Sequence, residues 1–404
     1  MKTAHSVPTL NPVELPAECA KATRVLMVVD GRYPATGGAE LQARLLSSAL
    51  AASGHLVRVL APRLDSSQPL DGYIDGIRVQ RLAYPHIKAL GAIWLNLRFA
   101  AWLIWHQHEF DAIHIHMMHN LAGAAGWLKR WLRPKIVVKV SGAAEFQGGI
   151  LDPALRHKPV HRILLAGSRR LDAFQCISQY TREVMLQAGY PSQRLHLIPN
   201  AVDCTRFVPS PAEADPIRAV FVGRHVPVKG LDILLRAWAT VRRHENARLV
   251  LAGDGPERAH LVALAQELGV ADSVDFPGLV ADIPALLAGA AIYVQSSHRE
   301  GLPNAVLEAM AAGLPVVATR ISGHEDIVAH GHSGILVPPA DPAALAEAMQ
   351  RLIDAPLQRR LFGAAGRDFV ARHYAIPVIT AQLLRLYQAP SPDGRASGRV
   401  LAAP

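Results

Sequence analysis

Short apolar runs with the length of a β-strand alternate along this chain with longer segments of helical periodicity. Helical patterns such as Ala39–Ser53 and Thr181–Gln187 lie between the runs. This alternation predicts βαβ units and therefore parallel, doubly wound sheets. The predicted strands are Arg24–Val29, Val57–Leu60, Ala112–His116, Ile136–Val140, Ala173–Ile177, Leu195–Ile198, Ala219–Val222, Arg248–Ala252, Val274–Phe276, Ala291–Val294 and Pro315–Ala318.

A proline-rich break from Pro209 to Pro216 separates two series of predicted strands. At 404 residues the chain is too long for one hydrophobic core, so we expect two Rossmann-like α/β domains. Ligands of such sheets bind outside the carboxyl ends of the strands, and two domains facing each other would form a cleft. The expected segments are an N-terminal extension over 1–22, a first domain over 23–203, a second domain over 204–376, a C-terminal helix over 377–388 and a disordered tail over 389–404.

The chain has a formal charge of +9 and a pI of about 9.7. This balance favours anionic partners such as a phosphorylated ligand, a membrane surface or nucleic acid, although a solvated basic surface accounts for it equally well. No motif supports nucleic-acid binding. The cysteines (Cys19, Cys176 and Cys204) are widely spaced, and the first twenty residues lack an apolar stretch. We therefore expect a cytoplasmic protein, with peripheral attachment at the inner membrane face as a further option.

Five of the six tryptophans lie between Trp94 and Trp131, and the basic stretch Lys129–Arg133 lies at the end of this region. Aromatic side chains beside cations are typical of a surface that contacts a membrane. Buried core helices account for the same composition, and from the sequence we favour that interpretation. The apolar stretch Ala89–Trp105 is short for a helix that spans a membrane.

Two glutamates with seven residues between them, Glu300 and Glu308, lie between two apolar runs. Pro303 fits the first position of a helix and Gly313 its C-terminal stop, so Glu300 would lie in the preceding loop and Glu308 on the helix. Eight helical steps span about 12 Å at most, which roughly matches the distance from the sugar to the ribose of a nucleotide sugar. The helix start between the two carboxylates favours an anion, so one segment could hold both ends and the charged middle of such a ligand.

Two cations, Arg224 and Lys229, follow the predicted strand Ala219–Val222. On a loop at the carboxyl end of a strand they suit a diphosphate, because they would stabilise its charge when it is bound and as it departs. Two solvated loop cations are the alternative. Gly37 and Gly38 follow the first predicted strand and open a helix whose backbone N–H groups can meet a phosphate. Their spacing is not the G-x-G-x-x-G of a dinucleotide fold, which argues against a nicotinamide dehydrogenase.

Three histidines, His114, His116 and His119, lie at the end of the predicted strand Ala112–His116. Alternation along a strand places the first two on the same face. No carboxylate or cysteine completes a metal-binding set, so we expect no metal. His116 is the better candidate for a hydrogen bond to a sugar hydroxyl, with His119 in reserve. A buried structural histidine is the alternative.

A set of motifs, in one order over roughly residues 24–385, resembles the retaining glycosyltransferase family 4, the group 1 glycosyltransferases with the GT-B fold. The motifs of the C-terminal half are the more specific. They are Val222-Gly-Arg224 with Lys229-Gly230, Ala252-Gly-Asp-Gly-Pro256, Phe276-Pro-Gly278-Leu279, Glu300-Gly-Leu-Pro-Asn-Ala-Val-Leu-Glu308 up to Gly313, and Ser333-Gly-Ile-Leu-Val-Pro338.

The resemblance implies a retaining, metal-independent transfer of a sugar from a UDP- or GDP-sugar to a glycan or lipid-linked acceptor, in cell-surface polysaccharide or glycolipid synthesis. It implies no cofactor, because the nucleotide sugar is a co-substrate. The first domain would bind the acceptor and the second the donor, and the C-terminal helix would pack back on the first domain. A peripheral membrane contact through the basic, Trp-rich first domain would fit a lipid-linked acceptor.

Residue by residue, the resemblance makes Glu300 the acid that contacts the donor sugar and Glu308 the acid that binds the ribose. Arg224 and Lys229 resemble the diphosphate pair, and Gly38 resembles the N-terminal phosphate contact. The catalytic candidates are thus Glu300, Arg224 and Lys229 from the resemblance, with His116 added from its place at the strand end. The remaining donor contacts that the resemblance implies are Gly278, Leu279, Gly301, Leu302, Pro303 and Asn304, and Gly37 is added from the glycine-rich helix start. In this family the leaving diphosphate is thought to help deprotonate the acceptor, so no side-chain nucleophile is implied.

The sequence departs from the family at Lys139-Val-Ser141-Gly142, where many members have Thr-x-His-Gly. Ser141 could replace the hydrogen bond of that histidine but not its charge. Two alternatives stay open. One is another GT-B enzyme, such as a sugar-nucleotide epimerase or a phosphorylase, and the other is a non-catalytic protein that binds a nucleotide sugar.

Overall fold

The computed structural model describes residues 22–35, 37–87, 90–146, 149–155, 157–209, 216–241 and 247–391, without the side chains of residues 143 and 144. The chain forms two compact units. The first contains the described residues up to Ala201 together with those from Ile376 onward, and the second is Val202–Ala375. Most of the predicted extension and of the predicted tail lies outside the described residues.

The described residues contain fourteen strands and fourteen α-helices, numbered in chain order, besides short 3-10 turns. The strands are β1 (Arg24–Val29), β2 (Leu56–Pro62), β3 (Asp71–Ile74), β4 (Ile77–Leu82), β5 (Ala112–His116), β6 (Lys135–Val140), β7 (Ala173–Cys176), β8 (Leu195–Leu197), β9 (Ile217–Val222), β10 (Ala247–Ala252), β11 (Val274–Gly278), β12 (Ile292–Gln295), β13 (Val316–Thr319) and β14 (Gly334–Val337). The helices are α1 (Gly38–Ala52), α2 (Leu90–His106), α3 (Asn120–Leu128), α4 (Ala143–Phe146), α5 (Pro159–Ser168), α6 (Gln179–Gln187), α7 (Leu231–Thr240), α8 (Arg258–Glu267), α9 (Ile283–Ala288), α10 (Asn304–Ala311), α11 (Ser322–Glu325), α12 (Pro342–Asp354), α13 (Pro356–His373) and α14 (Ile376–Gln388).

The first unit is built on an eight-stranded sheet in the order β3-β4-β2-β1-β5-β6-β7-β8. Side chains alternate along β1 between two apolar clusters, with Leu26 and Val28 in one and Val25 and Met27 in the other. The sheet is therefore buried on both faces, as parallel sheets usually are. The cluster around Val25 and Met27 includes Leu383 of α14, so the C-terminal helix covers this face together with α1.

One edge of this sheet differs from the predicted all-parallel arrangement, because β3 pairs with β4 in the antiparallel sense. Ile74 pairs with Ile77, and the two residues between them, Asp75 and Gly76, have φ angles of 50° and 76°. Positive φ at both central positions is what a two-residue hairpin turn requires, and Asp-Gly is a favoured sequence for it. The signal was present in the sequence, and the prediction missed it.

The second unit has a six-stranded, wholly parallel sheet in the order β11-β10-β9-β12-β13-β14. Its edge strand β14 is absent from the predicted strands, although the sequence motif that contains it was noted. The predicted fold class, two doubly wound α/β domains, is confirmed.

Candidate functional site

The chain order of the second sheet reverses between two neighbouring strands, β9 and β12. From β9 the chain continues to β10 and β11 on one side, whereas β12 leads to β13 and β14 on the other. Loops that leave such a pair diverge and open a crevice at the carboxyl ends, which is where doubly wound sheets bind ligands. The loop after β9 carries Arg224 and Lys229, and the loop after β12 carries Glu300.

The two loops are fastened to each other by backbone contacts. Ser296 Oγ donates to the carbonyl oxygen of Lys229 at 3.0 Å, and the N–H of His298 donates to Val228 O at 2.8 Å. Gly230 adopts the left-handed conformation at φ 60°, and a Cβ on it would lie 2.5 Å from Ser296 O. Only glycine permits this approach together with this φ, so Gly230 fixes the position of the Lys229 loop.

Lys229 and Glu300, predicted separately, form an ion pair with 2.6 Å between Nζ and Oε1. The same oxygen accepts hydrogen bonds from Gln295 Nε2 at 2.9 Å and from Ser297 Oγ at 2.7 Å. The side chains of the pair are 19% and 12% exposed, so both are held at the edge of solvent. Tyr293 Oη donates to Gln295 Oε1 at 2.8 Å and extends the network into the core.

Burial alone would raise the pKa of Glu300, but Lys229, His324 and Ser297 together hold this pKa below its ordinary value. The carboxylate is therefore ionised at neutral pH. His324 lies behind it on the short helix α11, where Nδ1 bonds Thr319 O at 2.7 Å. Burial lowers the pKa of His324, so the ring is neutral. Its Nε2 has no hydrogen-bond partner among the described residues.

Helix α10 begins immediately after this network and leads to the second glutamate. Pro303 precedes the helix as its N-cap, so the prediction that it occupies the first helical position is off by one residue. The helix ends before Gly313, whose φ of 75° confirms the predicted stop. The amides of the first turn, from Asn304 onward, lie between the loop position of Glu300 and the helical position of Glu308. That N-terminus carries partial positive charge.

Glu308 differs from Glu300 in having no hydrogen-bonded partner in the described part of the chain. Its side chain is half-buried. Burial raises the pKa of Glu308 to about 7, against an opposing effect of Arg206. A carboxylate that is desolvated and left without donors is a site from which a ligand hydroxyl gains a strong hydrogen bond.

Arg224 is exposed, and its guanidinium makes no hydrogen bond or ion pair with any described residue. The neighbouring turn over residues 253–255 is seated on this loop, because a Cβ on Gly255 would collide with His225 O. Gly278 ends β11 with a φ of 74°, and Leu279, which follows it, is 80% exposed. The predicted donor residues from Arg224 to Glu308 thus all belong to one unit, at the carboxyl ends of its strands.

In the first unit the chain order reverses between β1 and β5, and the remaining predicted residues follow these two strands. Gly37 is the N-cap of α1 and Gly38 is its first residue, and both are exposed. No side chain caps this helix start. A Cβ on Gly37 would collide with the carboxylate of Glu40, so the helix start already has an acidic group beside it. The backbone of Gly37 and Gly38 is therefore open to a phosphate, but the Glu40 carboxylate lies beside the same helix start and would compete with it.

His116 lies at the end of β5 as predicted, but its side chain is completely buried. Its ring stacks on that of His114 at 4.5 Å, which confirms that the two share a face. Burial, His114 and Lys139 lower the pKa of His116 well below its ordinary value. Neither ring nitrogen has a partner among the described residues. His116 therefore lies in the environment of the alternative interpretation, that of a buried, neutral histidine. Its hydrogen bond to a sugar hydroxyl stays a prediction.

A row of buried polar side chains crosses the sheet beside His116. His116 is in register with Lys139, and Lys139 with Gln175. Burial lowers the pKa of Lys139 to about 7, and its Nζ has no partner in the described ranges. Ser141, which stands where many family members have histidine, is half-buried, and its Oγ likewise lacks a described partner.

Several contacts of the site were not anticipated from the sequence. Gln295 and Ser297 bond Glu300 directly, and Gly323 packs so closely that a Cβ on it would lie 2.8 Å from the carbonyl oxygens of Glu300 and Gly301. The sequence contains a signal for these contacts. The polar run from Gln295 to His298 lies at the carboxyl end of a buried strand, and that end of a doubly wound sheet is the side on which ligands bind.

Among the described residues, no group of three histidine, cysteine or acidic side chains is placed to hold a metal ion. In the same ranges, no helix has the length and apolar character needed to cross a bilayer.

Two protein families match the chain. Glycosyltransferase Family 4 matches residues 36–206, and Glycosyl transferases group 1 matches residues 216–355. A similar curated protein is the GDP-mannose-dependent alpha-(1-6)-phosphatidylinositol monomannoside mannosyltransferase of Mycobacterium tuberculosis, 29% identical over 89% of this chain and 97% of the relative. Another is the D-inositol 3-phosphate glycosyltransferase 2 of Catenulispora acidiphila, 33% identical over 65% of this chain and 67% of the relative.

Solved structures share the fold. Anabaena HepE, crystallised with UDP and glucose, superposes with a TM-score of 0.74 at 21% identity and covers 91% of this chain and 100% of its own. Sucrose-phosphate synthase from Thermosynechococcus elongatus superposes with a TM-score of 0.76 at 24% identity, over 90% of this chain and 98% of its own.

Proposed function

The chain belongs to glycosyltransferase family 4. From that premise we propose that it moves a sugar from a UDP- or GDP-sugar to a glycan or lipid-linked acceptor. We propose further that the transfer retains the configuration at the anomeric carbon and needs no metal ion. The observation that carries the proposal is the Lys229–Glu300 ion pair at the strand-order reversal of the second unit, followed at once by the N-terminus of α10.

The proposed roles follow the chemistry of each group. Glu300 is ionised and held by three donors through one oxygen, so its other oxygen accepts from the hydroxyls of the donor sugar. Glu308 accepts from the ribose. Lys229 and the exposed Arg224 bind the diphosphate, which also meets the amides of residues 301–304. Gly278 and Leu279 border the base, and Gly37 and Gly38 supply a further phosphate contact.

The proposed reaction breaks the bond between the anomeric carbon and the diphosphate oxygen, and forms a bond from that carbon to the acceptor oxygen on the same face. The acceptor proton passes to the leaving diphosphate, so no side-chain nucleophile is needed. Negative charge grows on the diphosphate as it departs, and Lys229 and Arg224 stabilise that charge. These two cations would thereby stabilise the charge that a metal ion stabilises in other transferases.

The names of the relatives narrow the choice of substrates to be tried. The Mycobacterium tuberculosis relative is named for GDP-mannose and a phosphatidylinositol mannoside, so GDP-mannose is the first donor to test and a glycolipid the first acceptor. A cytoplasmic enzyme of glycolipid or polysaccharide synthesis, attached peripherally to the inner membrane face, fits this substrate class.

The donor class is tested by thermal unfolding in the presence of UDP-, GDP- and ADP-sugars. A ligand that binds only the folded protein raises the melting temperature, and the stabilisation grows with the logarithm of its concentration relative to Kd. One nucleotide series should raise it and the others should not. An enzyme of the epimerase type would convert the free sugar nucleotide without an acceptor, and a non-catalytic binding protein would show the shift but no product.

The roles are tested by Lys229→Ala and Glu308→Ala, each of which we expect to cut donor turnover by at least tenfold, since each removes a charged hydrogen bond of roughly 1.5–3 kcal/mol. Matched controls are Lys158→Ala and Glu347→Ala, which remove the same charges from exposed positions that are not among the proposed site residues. Transfer or donor hydrolysis at the wild-type rate in both site variants would reject the assignment.

A further inference from the structure

A cavity in the first unit contains none of the residues assigned to the donor. It has a volume of about 140 Å³ and is lined by Arg63, Ser66, Ala83, Tyr84 and His86. Arg63 and Ala83 directly follow β2 and β4, which are parallel neighbours, and the N–H of Arg63 donates to the carbonyl oxygen of Leu82 at 2.9 Å. The cavity therefore lies at the carboxyl ends of these strands, the edge on which doubly wound sheets bind ligands. It is called here the β2–β4 pocket.

The wall of the β2–β4 pocket that carries Arg63 is held by its own hydrogen bonds. Gln68 Oε1 accepts from the N–H groups of Leu64 at 3.1 Å and Asp65 at 3.2 Å. Arg63 Nε donates to Gln68 O at 2.8 Å, and its Nη2 donates to Ser66 O. The third nitrogen, Nη1, makes no hydrogen bond with a described residue. A ligand therefore meets a donor that is already positioned, which lowers the entropy lost on binding.

The opposite wall consists of two aromatic rings, those of Tyr84 and His86, whose centroids are 4.9 Å apart at 52°. His86 Nε2 lies 3.0 Å from Arg63 O. Because a carbonyl oxygen only accepts, Nε2 carries the hydrogen, and Nδ1 of the neutral ring is left as an acceptor. The Tyr84 hydroxyl has no hydrogen-bond partner among the described residues. Burial raises the pKa of Tyr84, so the hydroxyl keeps its proton and can donate.

Aromatic faces beside separate donors and acceptors suit a sugar ring. The C–H faces of a pyranose are apolar and pack on an aromatic side chain, whereas each of its hydroxyls both donates and accepts. Arg63 Nη1 donates, His86 Nδ1 accepts, and the hydroxyls of Tyr84 and Ser66 do either. The size agrees, because a cavity of about 150 Å³ binds benzene, and 140 Å³ likewise admits one six-membered ring.

Phosphate is a less favourable occupant of the β2–β4 pocket. Hydrogen bonds from Ser67, and after them the charges of Arg32 and Arg63, lower the pKa of Asp65. Asp65 is therefore ionised, and it stands within electrostatic reach of Arg63. A carboxylate in this position offsets part of the arginine charge that an anion would need, while it leaves the hydrogen bonds to a neutral hydroxyl unaffected.

We propose that the β2–β4 pocket binds one sugar ring of the acceptor. The ring rests on Tyr84, and its hydroxyls accept from Arg63 Nη1 and donate to His86 Nδ1. The inference rests on the proposed function, because only a transferase has an acceptor. It narrows that acceptor to a molecule that already carries a sugar, as opposed to a bare lipid headgroup.

Saturation-transfer difference NMR with the full chain tests the proposal. The probes are the methyl α-glycosides of mannose, glucose and galactose, without nucleotide. At least one should receive saturation on its ring protons from the wild type. Tyr84→Ala should weaken the affinity for that glycoside at least about tenfold, since it removes the apolar face. Tyr84→Phe keeps the ring and the fold, and should weaken it roughly two- to tenfold through the lost hydroxyl.

Arg63→Gln should also weaken glycoside binding, because it removes the positioned donor. The matched controls are Tyr73→Ala, which removes a tyrosine that is 74% exposed on β3, and Arg133→Gln, which removes an exposed arginine. Both should bind as the wild type does. Equal affinity in Tyr84→Phe, Arg63→Gln and the controls overturns the proposal. So does a glycoside signal that only Glu300→Ala abolishes, which would place the probe in the donor site, or binding of inorganic phosphate but of no glycoside.

The outcome is separable from that of the proposed function. Donor-induced thermal shifts involve none of the pocket residues, so the variants should keep them, which also shows that they fold. A donor shift without glycoside binding would overturn the pocket and leave the transferase assignment standing. Glycoside binding that depends on Tyr84, without any donor shift, would reject the transferase assignment and with it the acceptor role of the pocket.

Discussion

Glu300 and Glu308 are the same residue type on one short segment, yet their surroundings shift their pKa values in opposite directions. Glu300 receives three donors on one oxygen, and its pKa lies below the ordinary value. Glu308 receives none, and burial raises its pKa to about 7. The first carboxylate is therefore ionised throughout the physiological pH range, whereas the second changes charge within that range.

Donor binding should consequently become tighter as the pH rises from 6 to 8. With a pKa of about 7, Glu308 is mostly protonated at pH 6 and mostly ionised at pH 8. If only the carboxylate accepts the ribose hydroxyls, the apparent Kd falls roughly tenfold over this range, in proportion to the competent fraction. Isothermal titration calorimetry at each pH measures this Kd. An intact nucleotide sugar is the ligand to use, because its diphosphate diester carries constant charge over these pH values.

The control for this pH effect is Glu308→Gln, which keeps the shape of the side chain but cannot ionise. It should bind the donor weakly and with a nearly flat pH profile. A variant that retains the full pH dependence would show that another group titrates.

The ion pair itself was beyond sequence reasoning, although both of its members were predicted. Lys229 and Glu300 are separated by 71 positions, and they meet because β9 and β12 are neighbours in the sheet. Spacing along the chain reveals contacts within one helix or hairpin, but it does not reveal which strands pair. The buried state of His116 stood only as the alternative for the same reason, because spacing along the chain does not show that Lys139, on the neighbouring strand, lies in register with it.

At the scale of elements, the site depends on how one loop is held against the next. Gly230 has a φ of 60° and would place a Cβ 2.5 Å from Ser296 O. We expect Gly230→Ala to destabilise the fold by more than the roughly 1–2 kcal/mol of a left-handed alanine, because the loop must also move. Lys229, its chain neighbour, should move with it, so donor affinity should fall as well. Urea unfolding and donor titration measure the two effects.

Gly269 separates backbone strain from displacement of the loop. It has a similar φ of 67°, but a Cβ on it would meet nothing within 4 Å. Gly269→Ala should therefore lose stability through strain alone and bind the donor as the wild type does. Equal donor affinity in both variants would mean that Gly230 does not position Lys229.

Elements with a local signal were predictable, and those without one were not. Strands such as β1 and β5 match their predicted bounds, because buried parallel strands are continuous apolar runs. The start of α10 shifted by one residue because Pro303 serves equally well just before a helix and at its first turn. The hairpin of β3 and β4 was missed although Asp75-Gly76 announces it. Strand β3 is partly exposed, and polar residues such as Arg78 and Gln80 interrupt β4, so neither strand gave a continuous apolar run.

At the scale of the whole molecule, the C-terminal helix belongs to the first unit and not to the unit that precedes it in the sequence. The chain forms residues 202–375 as one unit and then returns α14 to the unit that contains the N-terminal sheet. No composition or periodicity indicates which sheet a terminal helix covers, and here only the family resemblance suggested it. The bond from Tyr387 to His114 Nδ1, at 2.6 Å, is one result of that return.

The division into units makes a prediction about local stability. Leu383 of α14 is fully buried against the N-terminal sheet, so Leu383→Ala should create a cavity that costs about 2–5 kcal/mol. Hydrogen exchange should then accelerate in β1 and β5, far along the chain, while β9 and β12 keep their protection, because local opening reports the stability of each cooperative unit. Leu352→Ala, a matched truncation of a fully buried leucine in the second unit, should give the reverse pattern. Faster exchange in all four strands of both variants would mean that the chain opens as a single block, and that α14 is not confined to the core of the first unit.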